Sequence, residues 1–194
     1  MQAMCSLTLP SERYEKSFLL GAAEFAAQNR LDSTYAAHLG YDLRSLKRNF
    51  GRFVRDLIAL GDGSRGWYVD RVLWLIAGEE YVGQTSIRPM LCTDYLITYG
   101  GHVGYSIRPS RRRCGYGKKI LNLALAESRA MDLGKVMVTC DSDNTASRKI
   151  IEGNGGRFES AMKMDSKAFR AEGRRPQRQV KKLRYWIDLE TGVS

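Results

Sequence analysis

A basic loop with two glycines, placed between a strand and a helix, constrains the fold of this chain more than any other feature. His102–Arg108 has the pattern of a strand that stops at Pro109, and apolar residues from Ile120 to Met131 recur at helical spacing. The connection reads Ser110-Arg-Arg-Arg-Cys-Gly-Tyr-Gly117. Glycines let a ligand approach the backbone closely, and the first turn of a helix presents free N–H groups to anions. The segment therefore predicts an anion-binding loop, with a flexible basic turn as the alternative.

Strands and helices alternate along the rest of the chain. The predicted order is β-α-α-β-β-β-α-β-α-β-β, which indicates an α/β fold with one mixed sheet of about six to seven strands flanked by helices. No linker-like segment divides the chain, so we expect a single domain over residues 1–194. The second helix is predicted as one continuous element because its apolar stripe runs from Leu43 to Leu60. Asn144 is expected to cap a helix that ends near Glu152.

The net charge of the chain indicates which kinds of molecule it is suited to bind. Thirty-one basic and 21 acidic residues leave a formal net charge of +10, which favours an anionic partner such as a phosphorylated cofactor, a nucleic acid or a membrane surface. The longest apolar run, Val72–Ala77, is too short to cross a bilayer. Two histidines and four cysteines without a paired spacing argue against a metal site and favour a reduced, cytoplasmic protein.

The loop and its neighbours resemble a known family. Arg112-Arg-Cys-Gly-Tyr-Gly117 fits R/Q-x-x-G-x-G/A, the coenzyme A loop of the GNAT superfamily of N-acetyltransferases. The resemblance extends from about residue 101 to 160, where Val136–Cys140 is similar to the fifth strand of the family and Asn144 to the start of the next helix. Three shorter segments resemble a bacterial subgroup of predicted acetyltransferases: Gly101–Pro109, Cys140–Asn144 and Arg184–Asp188.

The resemblance implies a twisted mixed sheet that splays between its fourth and fifth strands, with acetyl-CoA bound in the wedge. Backbone N–H groups of residues 113–118 would hold the pyrophosphate, and the pantetheine would pair with the strand from Tyr105 to Ile107. An amine would then attack the thioester directly, and the Tyr105 N–H would stabilise the oxyanion. The implied cofactor-binding residues are Tyr105, Ile107, Arg112, Arg113, Cys114, Gly115, Tyr116, Gly117, Lys118, Asn144 and Ser147.

The proton donor of the family is missing from its usual position. Many members carry a tyrosine seven residues after the asparagine, whereas in this chain Ile151 stands seven residues after Asn144. An isoleucine cannot donate a proton to the departing thiolate. The thiolate would leave unaided, since thiol pKa values lie at about 8.5, or it would take a proton from Ser147 or a water.

Two residues are candidates for the general base. His102 lies near the start of the fourth strand, close to where some relatives place a glutamate base, and an imidazole can take a proton from an ammonium group near neutral pH. A histidine hydrogen-bonded at a strand start is the alternative interpretation. Asp141, just after the fifth strand, is the second candidate for base or substrate anchor, and its alternative role is to complement the N-terminus of the next helix.

Together these features predict an acetyl-CoA-dependent N-acetyltransferase whose acceptor is a primary amine. A small molecule is favoured as acceptor over a protein lysine or N-terminus, and a homodimer is left open. The alternatives are a coenzyme A-binding protein without activity and a nucleic-acid-binding module that uses the loop and the basic segment 166–184, which is predicted as a solvated hairpin. The chain carries no recognised nucleic-acid-binding motif, so we expect neither nucleic acid nor a membrane as partner.

Overall fold

Seven strands form one mixed sheet with helices on both faces, which confirms the predicted fold class. The computed structural model describes residues 4–63, 69–163, 165 and 180–190. The strand order is β1-β2-β3-β4-β5-β7-β6, and β4 and β5 are the parallel neighbours. The strands are β1 Cys5–Thr8, β2 Arg71–Ala77, β3 Glu80–Ile87, β4 Val103–Ile107, β5 Lys135–Asp141, β6 Arg157–Lys163 and β7 Lys181–Asp188.

The helices follow the predicted order with one exception, described next. They are α1 Glu15–Ala27, α2 Leu43–Arg48, α3 Phe50–Gly61, α4 Tyr116–Ala130 and α5 Thr145–Glu152. Two shorter elements matter for the site. A 3-10 turn spans Leu31–Thr34 after α1, and a π-helical turn spans Leu96–Gly100 before β4.

The second predicted helix is two helices in the structure. α2 and α3 meet at Asn49, whose φ of −128° leaves the helical region. The Asn49 side chain donates to the Ser45 carbonyl and satisfies an acceptor in the last turn of α2. Leu46 and Phe50, on either side of the break, remain buried. The apolar stripe thus identified the buried face, but it could not show the break, because a local side-chain hydrogen bond leaves the hydrophobic pattern unchanged.

Each face of the sheet has its own core. On one face, which we call the α1 face, α1–α3 cover β2 and β3, and Phe18 stacks on Trp74 with ring centroids 4.5 Å apart. On the other face, the α4 face, α4 and α5 pack over the sheet and bury Val136, Val138 and Ile151. No helix within the described ranges is long and apolar enough to span a membrane.

β4 and β5 separate after a single residue pair. Val103 pairs with Val138, and just before it the His102 N–H donates to the Met137 carbonyl. β3 and β4, by contrast, pair along the whole of Val103–Ile107. The sheet is therefore splayed between its fourth and fifth strands, and the gap opens along the second half of β4.

Backbone groups of β4 point into this gap. Residues of an antiparallel pair alternate between those bonded to the neighbouring strand and those that point away from it. The Arg108 N–H and the His102 carbonyl both bond to the β3 side, which fixes the alternation. Tyr105 and Ile107 occupy the other positions, so their N–H and C=O groups are directed towards β5 and the gap.

On the α1 face, two chain segments flank the gap: the segment after α1 on the β4 side and the π-helical turn on the β5 side. Gln84 Nε2 and Ser106 Oγ both donate to the Ser33 carbonyl, at 2.9 and 2.8 Å. Because Gln84 and Ser106 are a cross-strand pair, this one carbonyl fixes the segment after α1 over both β3 and β4. Opposite it, Thr139 Oγ1 donates to the Tyr99 carbonyl at 2.7 Å and fixes the π-helical turn beside β5.

Candidate active site

A cleft of about 270 Å³ passes through the gap between β4 and β5. Its lining residues come from both faces of the sheet, so we divide it into a loop half on the α4 face and a far half on the α1 face. The loop half is lined by Tyr105, Cys140, Asn144 and Ser147. We include under this name the glycine loop and the start of α4, residues 110–118, which follow β4 but lie outside the lining of the cleft. The far half is lined by Arg30, Asp32, Ser33, Tyr35, His38, Ser86, Arg88, Tyr95, Tyr99, Gly104, Asp141 and Lys182, among others.

The N-terminus of α4 presents free N–H groups next to the basic loop. Gly115 is the residue before the helix and has φ +80°, while Arg113 has φ +58°, so both occupy the left-handed region. No side chain caps the helix, which leaves its first N–H groups available to an anion. Arg113, Lys118 and Lys119 are exposed around them. Uncapped N–H groups, the helix dipole and these cations together suit a phosphate group.

Two acidic side chains hold the loop against the rest of the molecule. Glu24 of α1 accepts from Arg108 and from the Ser110 N–H, and Glu80 of β3 accepts from Arg108 and Arg111. Burial alone would raise the pKa of Glu24, but the hydrogen bonds from Arg108 and Ser110 outweigh burial and lower the pKa. The sequence did not predict that either acid supports the loop, because both lie far from it along the chain.

Arg112 and Gly117 contact the scaffold around the loop. The Arg112 guanidinium donates to the Ile107 carbonyl at 3.2 Å and to Gln28 Oε1 at 2.9 Å, which ties the loop to α1. A Cβ on Gly117 would lie 2.5 Å from Ile150 Cδ1. The missing side chain at Gly117 therefore lets α4 and α5 pack closely. The sequence had predicted a different role, in which this glycine lets a ligand approach the backbone.

The hydroxyl groups of Tyr105 and Ser147 form a hydrogen-bonded pair in the loop half, with their oxygens 2.7 Å apart. Asn144 caps α5 by accepting the Ser147 N–H, as predicted. Burial raises the pKa of Tyr105 to about 12, so the phenol keeps its proton at neutral pH. Ile151 is fully buried in the core on the α4 face and does not line the cleft. The hydroxyl pair therefore places exchangeable protons at the cleft, whereas Ile151 has none to offer and lies outside it.

The last two residues of β5 face opposite halves of the cleft. Burial raises the pKa of Cys140 to about 11, so this thiol stays protonated at neutral pH and is a poor nucleophile. Asp141 lies on the far half, and its Oδ1 accepts from Lys182 Nζ at 2.6 Å. Asp141, the second candidate for the general base or a substrate anchor, therefore lines the cleft.

His102 does not line the cleft. Its Nδ1 accepts the Met137 N–H at 3.0 Å, and its ring lies 5.8 Å from that of Trp186. Burial, followed by the charge of Arg88, lowers the pKa of His102 to about 4. The structure therefore shows the alternative interpretation, a histidine hydrogen-bonded at a strand start. The other histidine, His38, lines the far half instead, and no sequence pattern had indicated it.

The far half carries a buried arginine that sequence reasoning missed. Arg88 follows β3, and its side chain is 8% exposed. Asp70 Oδ1 lies 3.8 Å from Arg88 Nε, and Asp70 in turn accepts from the Tyr35 hydroxyl at 2.5 Å. The three residues are far apart in the sequence, and only the fold brings them together.

Comparison of the sequence with models of known protein families identifies the family of this chain. Residues 17–157 match the family model described as an acetyltransferase (GNAT) domain. The chain belongs to the GNAT acetyltransferase family. The activity of a GNAT protein is acetyl transfer, and its acyl donor is acetyl-CoA, as the loop motif predicted. Within the described ranges, no three His, Cys, Asp or Glu side chains converge in a way that would hold a metal ion.

Solved structures of GNAT acetyltransferases share this fold. The microcin C7 self-immunity acetyltransferase MccE, in complex with acetyl-CoA and AMP, is 13% identical, has a TM-score of 0.66, and is matched over 95% of this chain and 92% of that chain. RimJ from Mycobacterium smegmatis, in complex with CoA-disulfide, is 19% identical with a TM-score of 0.68, over 99% and 85% of the two chains. An acetyltransferase that modifies the N-terminal serine of ribosomal protein L7/L12, from Salmonella typhimurium, is 16% identical with a TM-score of 0.62, over 95% and 94%. No curated protein matches this sequence.

Proposed function

We propose that this GNAT acetyltransferase transfers the acetyl group of acetyl-CoA to the primary amine of a small molecule, by direct attack of the amine on the thioester. The observation that carries the proposal is the gap between β4 and β5, because the one cleft that passes through it is lined by Tyr105 and Ser147 on one face of the sheet and by polar side chains of the far half on the other. Two substrates can thus meet from opposite sides.

The residues on the loop half fit acetyl-CoA. Its pyrophosphate would bind the first N–H groups of α4, including those of Tyr116, Gly117 and Lys118, with Arg113 nearby. Its pantetheine amides would bond to the backbone groups of Tyr105 and to the Ile107 N–H, which face the gap as an unpaired strand edge does. The Ile107 carbonyl already accepts from Arg112. We assign Cys114 and Asn144 to the rim of this site on the strength of the motif alone.

An acceptor that binds as an ammonium first gives up one proton and so becomes a nucleophile. The neutral amine nitrogen then forms a bond to the carbonyl carbon, the C–S bond breaks, the nitrogen gives up its second proton, and the thiolate takes one. The Tyr105 N–H is placed to stabilise the oxyanion, since it points into the gap. Ser147 Oγ, backed by the Tyr105 hydroxyl at 2.7 Å, is our proton donor for the thiolate.

In our proposal Asp141 accepts the proton that the amine gives up, either directly or through a water molecule. Asp141 lies at the end of β5 where the far half meets the gap, and its carboxylate can hold an ammonium group or take its proton. His102 has no part in this proposal because its ring nitrogen is bonded to the Met137 N–H, away from the cleft.

A protein N-terminus is the second candidate acceptor. It is favoured by the similarity to acetyltransferases that modify a ribosomal protein, but those similarities lie at 15–16% identity. The far half is bounded by the segment after α1 and by the π-helical turn, which suits a compact acceptor. The nucleic-acid-binding alternative rests mainly on the basic segment 166–184, of which residues 166–179 lie outside the described part of the chain.

Release of free thiol from acetyl-CoA, measured with a panel of primary amines, tests the proposal. We expect turnover with a small amine, and Ser147→Ala and Tyr105→Phe should each lower kcat, Ser147→Ala by about 10²-fold. The KM for acetyl-CoA should change by no more than about threefold, because the pyrophosphate site is separate from the hydroxyl pair. Ser160→Ala on β6, whose hydroxyl bonds to Glu159, is the matched control.

Three outcomes decide among the alternatives. Binding of acetyl-CoA without thiol release for any amine identifies a non-catalytic coenzyme A-binding protein. Turnover with peptides and not with small amines identifies a protein acetyltransferase. An unchanged kcat in Ser147→Ala removes the hydroxyl pair from the reaction while leaving the activity itself standing.

A further inference from the structure

We infer that the acceptor is an amino acid or a similar aminocarboxylate, and that Arg88 binds its carboxylate in the far half of the cleft. The inference rests on the proposed function, because it uses the position assigned there to the thioester. It goes further in naming the chemical class of the acceptor and the residue that selects it.

Arg88 lies beside the place where the amine must react. Its Nη2 donates to Ser86 Oγ at 3.2 Å, and a Cβ on Gly104 would lie 3.0 Å from the same nitrogen. The guanidinium therefore covers Gly104, where a larger side chain would crowd it. Gly104 directly precedes Tyr105, whose N–H faces the gap, so the cation and the proposed oxyanion site are one residue apart.

An α-amino acid also has its amine and its carboxylate a short distance apart. Consecutive Cα atoms are about 3.8 Å apart, and the nitrogen and carboxylate carbon of an α-amino acid are about 2.5 Å apart. An amine held at the gap next to Tyr105 thus brings its own carboxylate to the neighbouring position, where the Arg88 guanidinium lies. Long acceptors with their nearest anion many bonds from the amine do not have this geometry.

Asp70 orients the guanidinium without occupying the cleft. It lies 3.8 Å from Arg88 Nε, its side chain is 7% exposed, and it is not among the lining residues. Asp70 therefore does not cover the side of the guanidinium that lines the cleft. A buried ion pair is weak evidence for a role in stability, whereas a planar guanidinium in a pocket is well suited to hold a carboxylate through two parallel hydrogen bonds.

The charges of the far half are mixed, and two of them suit a zwitterionic acceptor. Asp141, whose Oδ1 also accepts from Lys182 Nζ, provides a carboxylate at the gap for the ammonium group, while Arg88 provides the cation for the carboxylate. Arg30 and Asp32, which also line the far half, lie 3.9 Å from each other. A protein N-terminus carries an amide in place of that carboxylate, and a polyamine carries a second cation. Neither complements Arg88.

The test compares L-amino acids with their carboxamides and with free-amine tetrapeptides of the same first residue, by thiol release from acetyl-CoA. For the best amino acid we expect kcat/KM at least 10²-fold higher than for its carboxamide. Arg88→Gln should remove this preference by lowering kcat/KM for the acid about 10²-fold, with a change for the amide of no more than about threefold. Removal of one partner of a desolvated charge pair typically has an effect of this size.

Two further variants keep the test independent of folding. Arg71→Gln removes another sheet arginine, paired with Glu127 outside the cleft, and should retain the preference. The double variant Arg88→Gln with Asp70→Asn avoids leaving Asp70 uncompensated and should behave as Arg88→Gln does, with acetyl-CoA affinity by calorimetry reporting an intact loop half. Equal turnover of acid and amide by the wild type overturns the inference and leaves the proposed function standing. Absence of turnover with every amine overturns the proposed function and the inference with it.

Discussion

The loop half and the far half of the cleft are built in different ways. The loop half relies on backbone groups contributed by one short stretch of chain, from Tyr105 to Lys118, which includes the end of β4 and the start of α4. The far half relies on side chains from segments that are far apart in the sequence, among them Tyr35, Arg88, Tyr99 and Asp141. Backbone geometry at the loop half suits a substrate common to the whole family, whereas side chains at the far half suit a substrate particular to this chain.

The two halves also differ in what holds them in place. The loop is fixed by charged contacts to Glu24 and Glu80, which are partly exposed to solvent. The far half is fixed by hydrogen bonds to one backbone carbonyl, that of Ser33, and by the buried pair of Asp70 and Arg88. Substitutions in the supports of the two halves should therefore affect different substrates.

Arg108→Met should have the largest effect. Arg108 is 8% exposed and bonds both Glu24 and Glu80, so its loss removes the buried guanidinium that links the two carboxylates and leaves Glu24 with Ser110 and Glu80 with Arg111. We expect the free energy of unfolding to fall by about 3–5 kcal/mol, measured by urea denaturation. The affinity for acetyl-CoA should fall as well, since the loop loses its anchor to α1.

Arg111→Met is the matched control for that variant. Arg111 bonds the same Glu80, but its side chain is 44% exposed, and exposed pairs contribute about 0–1 kcal/mol. Equal losses of stability in the two variants would contradict the view that Arg108 is the buried support of the loop.

Gly115→Asp should have the next largest effect, confined to acetyl-CoA. The new carboxylate would stand at the start of α4, where it competes with the pyrophosphate for the free N–H groups. We expect the Kd for acetyl-CoA to rise about 10²-fold by calorimetry, while acceptor specificity is unchanged. Gly115→Asn has nearly the same shape and also tolerates φ +80°, but it carries no charge and should weaken binding by about tenfold or less. If the two variants weakened acetyl-CoA binding equally, the loss would not depend on charge, and the pyrophosphate would not bind at the start of α4.

His102→Asn should have the smallest effect. The asparagine oxygen can still accept the Met137 N–H, and we expect kcat/KM at pH 7 to stay within about threefold of wild type, far from the roughly 10²–10⁴-fold loss of a general base. The pKa of His102 is lowered to about 4 from 6.5 in the folded protein. The unfolded chain therefore binds more protons between these pH values, and the stability of the wild type falls as pH falls through this window. The variant should show a shallower fall in chemical denaturation at pH 4–6.5.

The sequence predicted the loop half more completely than the far half, for a physical reason. Hydrophobic periodicity, Pro109 and the glycine spacing are local signals, and they placed β4, the loop, α4 and the Asn144 cap correctly. The gap between β4 and β5 followed from resemblance, because no local pattern shows where two neighbouring strands part.

The far half could not be predicted because its residues carry no local signal. Arg88 resembles any charged residue at a strand end, and its burial depends on Asp70 and Tyr35 from other segments. His102 was a candidate base because it lies on the strand that the resemblance places beside the thioester, but the orientation of a side chain at a strand start depends on the neighbouring strand. The break at Asn49 was missed for a similar reason, since it depends on one hydrogen bond to Ser45.

The most direct test of the account is an amide NMR map of two titrations of the same protein, one with coenzyme A and one with the best amine acceptor. Coenzyme A should shift the amide signals of residues 105–107 and 113–118, because those N–H groups would hold its pantetheine and pyrophosphate. The acceptor should shift signals of residues 30–38 and 86–88 on the far half. Overlapping maps, or a coenzyme A map that spares residues 113–118, would contradict the division of the cleft into a backbone-built donor site and a side-chain-built acceptor site.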